Sequence, residues 1–192
     1  MKEDNMELDE FKDATETTLE DVQKSLMTDV PGIGMDEVVE HYVDVEFKKD
    51  LDKCKTKEEK KKLRGKLIKH YKKSKPGKKF IEDNFNNLKV YFGQVKDGIK
   101  QLPDAIQSMI DSMTIPAVIT TGSATSVHNP AWVIKDIRAK AAMVKGVLNQ
   151  LYVAFGMLLG IMVLLHITPP KAITDAQKSV NQIMTLVNAI PV

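Results

Sequence analysis

Apolar residues recur along the second half of this chain at alternating intervals of four and three. Ile81, Phe85, Leu88, Phe92, Val95, Ile99, Leu102, Ile106, Met109 and Met113 make the first such seam. That rhythm keeps side chains on one side of a helix and marks a surface made to pack on another helix. Pro103 falls inside the run. Because proline lacks an N–H and crowds the preceding turn, a kink or restart is predicted there, with Pro103 in the first turn of a second helix. Thr114-Ile-Pro116 closes the seam.

A second seam follows through Ile137, Ala141, Val144, Leu148, Leu151, Phe155, Leu158, Met162 and Leu165. Asn129-Pro130 supplies an N-cap and a proline at the first helical position, and Thr168-Pro-Pro170 ends the run. A helix over 131–167 would be roughly 55 Å long at about 1.5 Å per residue. Ile173, Ala176, Val180, Ile183, Val187 and Ile190 form a third seam. Three seams predict a mainly all-α fold, a hairpin or bundle of long helices, completed within the chain or by other subunits. Between the first two seams, residues 117–128 start apolar and turn to small hydroxyl residues, a loop longer than a bundle connection needs.

The first half is patterned differently. Thr17-Thr-Leu-Glu20 fits a capping box with Leu19, Val22 and Leu26 at helical spacing behind it, so residues 1–30 read as an acidic arm carrying one short helix. Residues 38–47 are ambiguous. Val39, His41, Val43, Val45 and Phe47 alternate as in a strand, while Met35, Val39, Tyr42 and Val43 fit a helix; the absence of a partner strand favours the helix. Thr56-Lys-Glu-Glu59 is a second capping box, opening a helix with a narrow stripe of Leu63, Leu67, Ile68 and Tyr71 on a basic cylinder. The predicted organisation is an acidic arm over 1–30, a small charged helical region over 31–79, and a helical bundle or hairpin over 80–192.

Charge sharpens that division. Residues 1–50 hold 5 Lys against 16 Asp and Glu, residues 51–100 hold 17 Lys and Arg against 6 acids, and the remainder is nearly balanced. Segment 53–79 alone carries 14 basic residues and 2 acidic ones. Such a block can bind phosphate backbones or anionic lipid by releasing counterions. It lacks the aromatic residues that stack on bases. The plainer reading is a solvated face partly neutralised by the acidic block, with nucleic acid, a membrane surface or an acidic protein as the other partners it could serve.

No catalytic constellation accompanies these features. His41, His70, His128 and His166 are far apart in sequence, without metal-ligand spacing, and no metal, cofactor or small-molecule substrate is expected. His166 reads as a helix C-terminal or buried structural histidine. Gly32-Ile-Gly34 and Thr121-Gly-Ser123 lack a nucleotide-binding context, and Ser123 near His128 has no acidic partner or nucleophile elbow. Cys54 is the only cysteine, so no intrachain disulfide forms. The acidic opening, Met1 to Glu10, has no apolar core, so no conventional cleaved signal peptide is expected.

Residues 146–170 carry no formal charge, and Leu151 to Leu165 is apolar on every face. About 20 such residues suffice to span a bilayer, and Gly156 and Gly160 form the GxxxG spacing that lets helices approach closely. One reading is therefore a single-pass span over 147–167, preceded by Lys135, Arg138, Lys140 and Lys145 on the cytoplasmic side. The other is a helix buried in a soluble assembly. The seam starts in the charged part of this helix and runs on in step, a register lipid does not require. That favours packing, with Leu148, Leu151, Phe155, Gly156, Leu158, Gly160, Met162 and Leu165 as the helix-packing interface.

Residues 102–190 resemble small helical virion proteins of tailed bacteriophages, of the kind found in tails, necks and baseplates. The likeness rests on the Gly/Ser/Thr-rich stretch from Ile115 to Trp132 between apolar helices, followed by the Thr-Pro-Pro break and a short final helix. The resemblance implies a structural protein present in symmetric copies, without catalytic activity. The expectation is thus a non-enzymatic structural or assembly subunit, in a virion or a cytoplasmic assembly, that oligomerises with itself or with other structural proteins. The alternatives are the single-pass membrane protein and a nucleic-acid-associated protein acting through 53–79.

Overall fold

The computed structural model describes Asp13 and residues 34–113 and 131–189. The expected arm helix near Thr17, the loop over 117–128 and His128 lie outside the described residues. Within them the chain is all-α, with no strand. Six helices follow in order: α1 (Met35–Glu46), α2 (Lys48–Asp52), α3 (Lys57–Lys73), α4 (Lys75–Met113), α5 (Ala131–Leu164) and α6 (Lys171–Ala189).

The ambiguous segment is helical. Helix α1 buries Val38, Val39, Tyr42 and Val43 as one stripe and leaves His41 and Val45 outside, which a strand could not do. Asp36 and Glu37 occupy its first turn, where carboxylates meet the positive end of the helix dipole. Helix α3 opens on the predicted capping box. The Thr56 hydroxyl accepts from the Glu59 amide at 3.2 Å, and the Glu59 carboxylate accepts from the Thr56 amide at 3.3 Å. Its stripe of Leu63, Leu67, Ile68 and Tyr71 is half-buried.

The α3–α4 turn is sharp. The Ser74 amide donates to the His70 carbonyl, and a Cβ at Gly77 would lie 3.0 Å from that oxygen, so a side chain there would force the turn to give by a few tenths of an ångström.

Helix α4 runs unbroken from Lys75 to Met113, with Pro103 inside it. A restart at Pro103 is therefore not what forms. The proline removes one backbone hydrogen bond, but Leu102 and Ile106 beside it are almost fully buried and continue the seam, so packing carries the helix through the gap.

Helices α4 and α5 form an antiparallel pair. Phe80, near the start of α4, and His166, just past the end of α5, both lie against Tyr42 of α1, with ring centroids 5.5 and 5.3 Å from it. Midway, Gly98 of α4 meets Leu151 of α5. Helix α6 folds back onto α5 and buries Ile173, Ala176, Val180, Ile183 and Val187, while α3 packs on α1, α2 and α4. One apolar cluster joins all three seams to Val38, Val39 and Tyr42, so the core crosses the boundary expected at 79/80. Each fully buried large side chain in it contributes roughly 1.5–3 kcal/mol.

Candidate assembly surface

Helix α5 is apolar all round through its C-terminal half, so its own composition does not choose an inner side. The fold does. Leu148, Leu151, Phe155, Leu158, Met162 and Leu165 face inward and are essentially inaccessible, joined by Ala154 and Ile161. Gly156 and Gly160 lie on the opposite, exposed side. The structure thus places six of the eight expected interface residues in the chain's own core and the two glycines outside it.

Around those glycines stand side chains that the seam does not contain. Tyr152 and Val153 are each 61% exposed, Val163 is 68% exposed, and Met157 and Leu164 complete the patch. Residues 152, 153, 156, 157, 160, 163 and 164 fall on adjoining rows of one helical face, since positions three and four apart are neighbours. An ideal Cβ at Gly156 or Gly160 would meet nothing within 4 Å, so both glycines are open to an incoming helix. Their signal in the sequence is the second apolar face itself, at 152, 153, 157, 163 and 164, out of step with the seam.

The neighbouring surface of α4 is unlike this. Asn86, Asn87, Lys89, Gln94, Lys96, Asp97, Lys100 and Gln101 are exposed along it, with Val90 as an isolated apolar side chain among them. Over the Gly98–Leu151 crossing an open cleft is rimmed by Gln94, Asp97, Gln101, Asn149 and Gln150. Among the described residues that line it, Asp97 is the sole ionisable group. Among the described residues no three His, Cys, Asp or Glu side chains converge as a metal site. Cys54 is half-exposed, its thiol 3.7 Å from the Asp50 carbonyl.

A second polar cluster fastens α3 to α1 and α2 within the charged region. Arg64 grips Asp44 through two hydrogen bonds, Nε to Oδ1 at 2.6 Å and Nη2 to Oδ2 at 2.9 Å, and reaches Glu40 at 3.3 Å. These hydrogen bonds hold the Asp44 carboxyl below its usual range and push the Arg64 guanidinium up. Lys72 pairs with Asp36 at 3.0 Å, and Lys60 with Asp52 at 2.8 Å. Being solvent-exposed and screened by salt, such pairs add little to stability. They set the register of α3 on α1 and α2.

His166 ties the end of α5 to α1. It ends α5 in the left-handed conformation, φ 57°, with its amide donating to the Val163 carbonyl and the Ile167 amide donating to the Met162 carbonyl. That is a Schellman cap, a position where glycine is usual. Here the imidazole has other work: Nε2 lies 2.7 Å from Glu46 and the ring stacks on Tyr42, while His41 Nε2 donates to the His166 carbonyl at 2.8 Å. A half-buried histidine at a helix C-terminus is what the sequence pattern suggested; its left-handed backbone carries no sequence signal.

Comparison with protein-family models, with curated proteins and with solved structures finds no match to this chain.

Proposed function

We propose that this chain is a non-enzymatic structural or assembly subunit whose copies associate through the outward face of α5. The observation that carries the proposal is that face: Tyr152, Val153, Met157, Val163 and Leu164 exposed around Gly156 and Gly160 on a helix whose other side is already the core. A contiguous apolar patch of this kind marks an interaction site more often than a free surface. Two glycines one turn apart admit the close approach of another helix, and the same helix from a second copy offers a matching surface. The resemblance of residues 102–190 to small helical virion proteins supports placing that assembly in a tail, neck or baseplate of a tailed phage.

A membrane span is the competing reading, favoured by one observation: Lys135–Leu164 is long and apolar enough to cross a bilayer. The polar exposed face of α4 opposes it. Helix α4 lies along α5, and burying its lysines, carboxamides and Asp97 in hydrocarbon would cost several kcal/mol each. Expression without detergent, followed by fractionation and size-exclusion chromatography, separates the readings. A soluble discrete oligomer is expected. Recovery only from detergent-extracted membranes would overturn the assembly reading in favour of the span.

A further inference from the structure

Two sets stand out among the basic residues of α3, in which Lys57 and Lys61 are exposed as well. Lys60, Arg64 and Lys72 face the acids of α1 and α2 and are paired with Asp52, Asp44, Glu40 and Asp36. Lys62, Lys66, Lys69 and Lys73 are exposed, and none of them has a carboxylate within ion-pair distance among the described residues. Their spacing of four, three and four places them in one row on the outer side of the helix, over a length of about 17 Å.

We propose that this outward lysine row is a docking surface for the phosphate backbone of nucleic acid. Charge complementarity is the first argument: four unpaired ammonium groups in a line repel one another and gain most from a partner with regularly spaced negative charge. Access is the second. Gly65 is exposed beside the row between Lys62 and Lys69, and an ideal Cβ there meets nothing within 4 Å, so a polymer backbone can approach the helix closely. The carboxylate of Glu58 stands one turn before Lys62 and bounds the row at the start of the helix.

The chemistry of the row selects among polyanions. Leu63, Leu67, Ile68 and Tyr71 are turned inward, with Ile68 and Tyr71 packed against the core, so the row presents no apolar side chain for insertion into a bilayer. Stable membrane attachment needs a second, hydrophobic signal of that kind. Nucleic acid does not. The row also has no aromatic ring for stacking on bases and no arginine for bidentate reading of a base edge. Binding is therefore to the backbone and indifferent to sequence. Helix α3 packs on α1, α2 and α4 and does not touch α5, so the row stays free when the α5 face is occupied.

The test is fluorescence anisotropy of a labelled random-sequence DNA duplex with the full chain, titrated across salt concentrations. Four phosphate contacts predict a slope of log affinity against log salt near −3.6, from about −0.9 per contact. Replacing Lys62, Lys66, Lys69 and Lys73 by Gln is expected to lower low-salt affinity at least tenfold and flatten the slope, while replacing all four by Arg preserves both. A control that removes equal charge elsewhere, Lys96, Lys100, Arg138 and Lys178 to Gln, is expected to leave most of the binding intact. The proposal is overturned by absence of binding at low salt or by equal loss in the control. Preferential binding to phosphatidylserine vesicles over DNA overturns it as well, and shows that the row serves a lipid surface. Circular dichroism of each variant checks that the helices are retained.

Discussion

Leu151 occupies the space in which a side chain on Gly98 would begin: its Cδ2 lies 2.7 Å and its Cγ 2.9 Å from an ideal Cβ at that glycine. Glycine inside a helix costs about 1 kcal/mol relative to alanine, so propensity alone would favour Gly98→Ala. Packing opposes it, because the branch carbon of a fully buried leucine, and not only a methyl, would have to move. Overpacking of this kind costs about 1–3 kcal/mol. Gly98→Ala is expected to lower the urea midpoint, whereas Gly93→Ala, where a Cβ meets nothing within 4 Å, is expected to raise it.

The two sides of α5 predict opposite phenotypes for the same chemical change. Leu158 is fully buried, so Leu158→Asp places an unpaired charge in the core and costs several kcal/mol, a large part of a typical folding free energy. Loss of the cooperative thermal transition is expected. Val163→Asp, on the exposed side, is expected to leave that transition in place and to reduce association alone.

His166 carries backbone strain that glycine would not. The left-handed conformation costs a non-glycine residue roughly 1–2 kcal/mol. His166→Ala loses the Glu46 contact and the Tyr42 stacking while keeping the strain; His166→Gly loses the same contacts and relieves it. The alanine variant is therefore expected to be less stable than the glycine variant by about 1 kcal/mol in denaturant titrations. Equal stability would show that the cap does not constrain the fold.

Tyr42 makes the fold sensitive to alkali. Burial first, then the charges of Tyr71 and Glu46, raise its pKa from 10.0 to about 12. A raised folded-state value means the contribution is fully present below pH 10 and is lost as pH climbs through about 12. The wild-type protein is expected to lose stability across that window more steeply than Tyr42→Phe, as followed by circular dichroism. Asp44 acts at the other end. Its lowered pKa gives stability above 3.8 that disappears as pH falls through the folded value, a small effect because the carboxylate is 44% exposed.

The three seams were legible because a 4-3 spacing follows from helix geometry, and Ile81, Ile99, Val144, Leu158, Ile173 and Val180 are all buried where it places them. The Thr56–Glu59 box was legible because capping is local. What lay beyond the pattern was relational. An all-round apolar helix hides which side its own chain will cover, so the sequence reads Gly156, Gly160 and Leu158 as one surface although the fold puts the glycines opposite Leu158. The continuity of α4 through Pro103 depends on packing against α5, which local proline chemistry does not contain. The grip of Arg64 on Asp44 depends on how α3 crosses α1, and nothing in a run of lysines singles out the one arginine that turns inward.

Light scattering on the purified full chain without detergent reports whether the outward face of α5 holds copies together. The wild-type protein is predicted to give a discrete multiple of 21.5 kDa, and a variant carrying Met157→Lys and Val163→Lys is predicted to give a folded particle of single-chain mass. A wild-type mass of one chain at high concentration, or undiminished assembly in the variant, is incompatible with association through this face.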